Sequence, residues 1–152
     1  PNSLKIDKQE IKRETNHFMN LANRCLQTHG NWLRIVSEAE CSCLALSSII
    51  KKYSIESLIV IDERTTRILT EKPENLKEIM NQKLHSSIEM HTENLKDFKD
   101  FKFIRSTELV YAAFKNGLLN IKGPKALEAA LYATKFKGAS VSFDEINTLK
   151  KL

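Results

Sequence analysis

The sequence predicts a helix-rich α/β protein with a short central parallel sheet flanked by helices. Three observations support this fold class. Apolar residues recur at helical spacing along much of the chain. The apolar run Leu58–Ile61 is continuous, which is typical of a strand buried on both faces in a parallel sheet. Helical patterns alternate with short strand-like runs, as in α/β layers. At 152 residues, the length predicts one domain, residues 1–152.

The N-terminal segment reads as one long amphipathic helix. Asp7 is a good N-cap residue, and apolar residues then recur on one side over residues 8–28, before Gly30. The segment Trp32–Val36 is short and apolar. It is interpreted either as a strand or as a buried connector.

A second helix follows Ser37. Ser37 with Glu40 three residues later forms the capping-box pattern, so we predict a helix from there to about Tyr53. Its apolar residues at helical spacing are expected to face inward: Leu46, Ile49, Ile50 and Tyr53.

The rest of the chain predicts shorter elements. Pro73 and Pro124 suit the first position of a helix, and Ser142 with Glu145 repeats the capping-box pattern. The expected order is a helix at 65–70, a helix at 73–83, an exposed or edge strand within 84–91, a helical turn at 94–100, a strand at 102–105, and helices at 107–116, at 124–136 and from 142 onward.

Composition narrows the class of protein. The net charge of +5 permits a polyanionic partner, but the lysines and arginines form no dense run. The three cysteines, Cys25, Cys41 and Cys43, contain no C-x-x-C pair, so they are interpreted as buried, reduced thiols. Such thiols indicate a cytoplasmic protein. No apolar run approaches the length of a membrane span, so no membrane association is expected.

Acidic residues occur in pairs at predicted element ends. Glu38 and Glu40 open the second helix, while Asp62 and Glu63 follow the Leu58–Ile61 strand. Ligands gather at the carboxyl ends of parallel strands, and converging carboxylates suit Mg²⁺ or Mn²⁺. Glu40 and Asp62 are therefore the expected metal ligands, with Glu38 and Glu63 as alternates. A purely structural interpretation stays open, because Glu40 belongs to a capping box, Glu38 could favour the helix dipole and Asp62 could cap the next helix.

Two arginines follow the strand end directly. Arg64 and Arg67 lie beside the carboxylate pair, where their guanidinium groups could contact a phosphate. Alternatively, they are surface residues three apart on a solvated helix face.

Three motifs occur together in a recognisable order. They are SEAECSCLAL at 37–46, LIVIDERTTR at 58–67, and IRSTEL at 104–109 followed by GLL at 117–119. The set resembles the PIN domain, the fold of many Mg²⁺-dependent ribonucleases. The resemblance implies a PIN-like divalent-metal-dependent endoribonuclease, or the C-terminal part of one. It also implies RNA as the partner and a possible homodimer.

The resemblance assigns expected roles to individual residues. Glu40, Asp62 and Glu63 would be catalytic, and Ser106 would occupy the family's active-site Ser/Thr position. Glu10, and after it Glu14, resemble an earlier family acid.

The sequence departs from the family pattern in two ways. Family members begin with a strand that carries a metal-binding Asp, and nothing in this chain matches it, so the chain is expected to be N-terminally incomplete or to lack that ligand. Residues 71–101 look like an insertion. The alternatives are a catalytically inactive PIN-like module that binds RNA or protein, and a helical scaffold that uses 71–101 for contacts.

Overall fold

A computed structural model describes residues 4–120 and 122–151 and gives a helix-rich α/β fold. The elements appear close to the predicted order. The helices are α1 (Lys8–Ala22), α2 (Glu38–Lys52), α3 (Arg64–Glu71), α4 (Pro73–Leu84), α5 (Ser106–Lys115), α6 (Pro124–Phe136) and α7 (Phe143–Leu149), with a 3₁₀ helix at Thr92–Phe98. The strands are β1 (Leu26–Thr28), β2 (Asn31–Trp32), β3 (Ile59–Val60), β4 (Glu89–Met90) and β5 (Phe103–Ile104).

The chain divides into two compact units. The first comprises Pro1–Ile59 and Thr65–Lys102, and the second comprises Val60–Arg64 and Phe103–Leu152. Residues 71–101, predicted as an insertion, lie wholly in the first unit. None of the described helices has both the length and the apolar content needed to cross a membrane.

The first unit is organised around the packing of α1 against α2. Asp7 caps α1 as predicted, and its carboxylate accepts a hydrogen bond from the Gln9 N–H at 3.0 Å. Phe18 on α1 is buried, and its ring meets Phe98 and Phe101 edge-on, with centroids 5.5 and 5.6 Å away. Such edge-to-face pairs add to the stabilisation from burying apolar area.

The predicted first helix is too long. It ends at Ala22, and the residues expected to form its last turn build β1 instead. Thr28 and Asn31 pair across a two-residue turn in which His29 and Gly30 both have positive φ, +48° and +75°. Such turns match the twist of a hairpin. Strand pairing therefore overrides helical periodicity over 26–28.

The first unit contains a sheet that the sequence analysis did not predict. Strand β1 pairs antiparallel with β2 on one side and with β4 on the other. Strand β4 lies at the sheet edge, which agrees with the edge strand expected within 84–91. Its pairing with β1 connects segments more than 60 residues apart, which local patterns cannot reveal.

Within residues 4–120 and 122–151, the predicted parallel sheet has two strands, β3 and β5. The Ile59 N–H donates to the Lys102 carbonyl at 2.9 Å, and the Ile61 N–H donates to the Ile104 carbonyl at 3.1 Å. Both bonds advance in the same direction, so the strands are parallel.

Several burial predictions were wrong. The strand expected to be buried on both faces is buried on one, because Ile59 is 7% exposed while Leu58 and Val60 are each 54% exposed. On α2, Ile49 is buried and Ile50 is partly buried, but Leu46 is exposed, as is Tyr53 directly after the helix. Side chains alternate between the two faces of a strand and rotate around the axis of a helix. An apolar run in the sequence does not show which of its side chains face the core.

The second unit is built from α5, α6 and α7, which pack on one another. Its buried core lies mainly on α6 and α7 and is covered by partly buried residues of α5. The core residues are Leu127, Leu131, Val141 and Ile146. Ser142 caps α7 and accepts from the Glu145 N–H at 3.1 Å, while Glu145 accepts from the Ser142 N–H at 2.7 Å. The capping box predicted there is confirmed.

We expect Leu131→Ala to lower the free energy of unfolding by about 2–5 kcal/mol, because Leu131 is fully buried and its removal leaves a cavity among the three helices. Urea denaturation followed by circular dichroism measures the change. The matched control is Leu118→Ala, which is 74% exposed and should change stability by less than about 0.5 kcal/mol. Equal losses in the two variants would contradict this core.

Candidate functional site

Asp62 and Ser106 meet at the carboxyl ends of the two parallel strands. Asp62 lies two residues beyond β3, and Ser106 lies two residues beyond β5. The Asp62 carboxylate accepts hydrogen bonds from the Ser106 N–H at 2.9 Å and from the Ser106 hydroxyl at 2.5 Å. Parallel strands in register bring their following residues to the same sheet edge. Two of the residues singled out in the sequence thus lie in direct contact.

The same contact has a structural role. Ser106 is the first residue of α5, where the backbone N–H groups lack partners within the helix. A carboxylate that accepts one of these N–H groups completes the hydrogen bonding and opposes the positive end of the helix dipole. Asp62 therefore holds the start of α5 beside the end of β3.

Arg105 organises the residues next to this contact. Its side chain is only 15% exposed. Its guanidinium donates to Glu108 Oε1 from Nε at 2.8 Å and from Nη2 at 2.7 Å, and Nη1 donates to Glu145. Two N–H groups of the planar guanidinium thus converge on one carboxylate oxygen, which fixes the orientation of the arginine side chain. Arg105 thereby ties the first turn of α5 to the first turn of α7.

Glu145 has a low pKa for this reason. Its partial burial acts to raise the pKa, but hydrogen bonds from Ser142 and from Arg105 outweigh burial and lower the pKa from 4.5 to about 2. The carboxylate is therefore stabilised in its charged form in the folded state.

Glu38 and Glu40 lie in the first unit, at the start of α2. The predicted capping box is present, and its glutamate half is the bond from the Ser37 N–H to Glu40 Oε2 at 2.5 Å; the Ser37 hydroxyl also donates to this oxygen. Glu38 is exposed in the first helical turn. The Asn23 side chain fixes the preceding segment, since its Oδ1 accepts from the N–H groups of Ile35 and Val36. Glu40 therefore acts as a cap in this structure.

Glu10 and Glu14 also lie in the first unit and share one cation. The Lys52 ammonium is 3.1 Å from Glu10 Oε1 and 3.4 Å from Glu14 Oε1. The hydrogen bond to Glu10 is the largest influence raising the pKa of Lys52. These acids link α1 to the end of α2.

The remaining predicted residues follow β3. Glu63 is partly buried and Arg64 is exposed; both belong to the second unit with Asp62 and Ser106. Arg67 belongs to the first unit. Its Nε is buried and has no hydrogen-bond partner among the described residues. The stem of Arg67 therefore points into the protein, unlike the solvated position considered for it.

The described residues contain no group of three or more His, Cys, Asp or Glu side chains arranged to hold a metal ion. The carboxylate and hydroxyl of Asp62 and Ser106 are nevertheless hard oxygen donors of the type that Mg²⁺ and Mn²⁺ prefer.

The sequence analysis missed the residues that surround this contact. It identified Glu145 as a helix cap but did not connect it to Arg105 or Glu108, which lie about 40 residues away along the chain. The signal available was the arginine directly before Ser106. Only the fold could reveal its acidic partners.

The three cysteines differ in accessibility. Cys25 and Cys41 are buried as predicted, but Cys43 is exposed. Burial raises the pKa of Cys25 to about 12, and burial together with the neighbouring charge of Glu40 raises the pKa of Cys41 to about 11. Both buried thiols are therefore poor nucleophiles at neutral pH.

We expect a thiol-specific reagent at pH 8 to modify Cys43 quickly, and Cys25 and Cys41 only after unfolding in urea. The count of fast-reacting thiols, followed by absorbance, should be one per chain and should fall to zero in Cys43→Ser. Rapid modification of two or three thiols in the folded protein would contradict the burial of Cys25 and Cys41.

We expect Glu145→Gln to destabilise the protein more at neutral than at acidic pH. The folded pKa, about 2, lies below the ordinary 4.5, so the stabilisation is fully present above pH 4.5 and is lost as pH falls toward 2. Urea denaturation at pH 7 and pH 3 should show the difference between wild type and variant falling by roughly half.

A second substitution tests the source of this effect. In an Arg105→Gln background, the Glu145→Gln change should cost less and depend less on pH, because the shared ion pair is already absent. Additive effects of the two substitutions at pH 7 would show that the pair is not coupled.

Comparison with known proteins found no match to this chain among family models, curated proteins or solved structures.

Proposed function

We propose that this chain is a PIN-like protein that acts on nucleic acid, and that Asp62 and Ser106 form part of a divalent-metal-dependent endoribonuclease site. The observation that carries the proposal is the direct contact of these two residues at the ends of parallel strands. The resemblance of their motifs to the PIN family supports RNA as the substrate class.

The donor atoms fit a hard divalent cation. Mg²⁺ often binds one or two carboxylates and completes its coordination with waters and substrate phosphates, so a complete protein cage is not required. Asp62, with Glu63 beside it in sequence, would hold the ion. The bound ion would lower the pKa of a water and neutralise charge on phosphate oxygens.

The chain's own residues would position the substrate. Hydrogen bonds from Ser106 fix the Asp62 carboxylate in one orientation. Arg64 is exposed in the same unit, where its guanidinium can pair with an RNA phosphate. Glu38, Glu40 and Arg67 belong to the first unit and are no part of this proposal.

A second candidate is a catalytically inactive PIN-like module that binds RNA or protein. It is favoured by the hydrogen bonds that the key acids already accept. Both oxygens of Asp62 accept from Ser106, and Glu40 accepts from Ser37 in its capping box. Acids engaged in this way can be retained for folding alone.

We expect the purified chain to cleave single-stranded RNA in Mg²⁺ or Mn²⁺, to stop when the ions are chelated, and to lose roughly 100-fold or more of its rate in Asp62→Asn. Asparagine keeps an oxygen that can accept from the Ser106 N–H but removes the charge that a cation needs. Gel separation of a labelled RNA measures cleavage.

The matched control is Asp144→Asn, the same chemical change at an exposed position in the first turn of α7 in the same unit. It should keep the rate within about twofold, since surface substitutions have small effects. Equal cleavage by wild type and Asp62→Asn would remove Asp62 from the reaction. A chain that binds RNA but never cleaves it would favour the second candidate.

A further inference from the structure

A cavity in the second unit lies between its three helices. Its volume is about 240 Å³. Helix α5 contributes two aromatic rings and a lysine, α6 contributes the next three residues, and the last residue directly follows α7. The lining residues are Tyr111, Phe114, Lys115, Lys125, Leu127, Glu128 and Lys150.

Among the described residues, three lysines and one glutamate line the cavity. Lys150 is 2.5 Å from Glu128 Oε1. Lys115 lies over the ring of Tyr111, with its ammonium 5.3 Å from the ring centroid. An anion that enters this space would be attracted to each ammonium group beside it.

Of these three lysines, Lys125 has the least favourable position for a positive charge. It is the second residue of α6, where the positive end of the helix dipole disfavours a cation. It is exposed and forms no ion pair with any residue in the described ranges. Lys115 and Lys150, in contrast, lie at helix C-terminal ends, where a cation is favourable. Lys125 therefore costs stability unless a negative charge approaches it.

We propose that this cavity binds the phosphate group of a nucleotide, with Lys115, Lys125 and Lys150 as its cationic contacts. Lysine binds phosphate as a point charge. The rings of Tyr111 and Phe114 supply aromatic surface on which a base can stack.

The cavity is distinct from the Asp62–Ser106 contact. Ser106 is the first residue of α5 and Lys115 the last, so the two places are roughly 13 Å apart along the helix axis. Binding here requires neither a metal nor cleavage. The inference therefore goes beyond the proposed ribonuclease activity and stands without it.

Isothermal titration of the full chain with adenosine monophosphate, inorganic phosphate and adenosine, all in chelator, tests the site. We expect the monophosphate to bind at least about fivefold more tightly than phosphate or adenosine alone, because only it engages both the lysines and the rings. Asp62→Asn should bind it normally, which separates this result from the fate of the ribonuclease proposal.

Lysine-to-glutamine substitutions inside and outside the cavity test whether the nucleotide binds there. Lys125→Gln should weaken binding about tenfold. Lys137→Gln, the same change at an exposed position after α6, should leave it within about twofold. Lys150→Gln should weaken binding more than Lys125→Gln, because it also leaves Glu128 unpaired at the cavity. Circular dichroism confirms that each variant is folded.

A labelled single-stranded oligouridine, followed by fluorescence anisotropy, distinguishes a free nucleotide from a nucleotide within RNA. Oligouridine binding that is sensitive to Lys125→Gln supports the site and identifies nucleic acid as the source of the phosphate. Tight monophosphate binding without oligouridine binding supports it and identifies a free nucleotide. The proposal is overturned if no phosphate-bearing probe binds, if monophosphate and inorganic phosphate bind equally, or if Lys125→Gln and Lys137→Gln weaken binding equally.

Discussion

The contact between Asp62 and Ser106 is the constraint on which the second unit depends. It joins a short strand end to the start of α5 across 44 residues of sequence. Two-residue strands contribute little pairing of their own. A charged hydrogen bond to a helix N-terminus is correspondingly important, because it fixes both the strand end and the helix start. Arg105, the next residue, extends this arrangement to α7.

Helix N-termini and metal sites both favour carboxylates. A helix N-terminus attracts carboxylates because of its unpaired N–H groups. A metal site at the end of a sheet attracts them because of the cation. Asp62 lies at a helix N-terminus and also at the end of a parallel strand pair, whereas Glu40 lies at a helix N-terminus. The hydrogen bonds of Asp62 and Glu40 therefore account for their roles in folding.

Local sequence signals predicted helix starts well where a cap residue or a proline marks them. The caps at Asp7, Ser37 and Ser142 and the prolines at 73 and 124 gave helix starts that agree with the structure. The antiparallel sheet escaped prediction because β1 and β4 are far apart in sequence. The lysines of the cavity escaped it for the same reason, since each lies on or beside a different helix and no charge run marks them. Motif order singled out Asp62 and Ser106 as separate residues, whereas their contact and its charged surroundings are seen only in the structure.

The division of the second unit into two stretches of chain has a practical consequence. Val60 of strand β3 and Asp62 belong to the short stretch Val60–Arg64, whereas the helices of the second unit belong to Phe103–Leu152. Truncation from the N-terminus cannot isolate the second unit, because a chain that begins at residue 103 lacks Asp62. Isolating it requires an internal deletion that joins residue 64 to residue 103 through a linker. A protease nick within 65–102 would likewise leave both stretches present, held together only by noncovalent contacts.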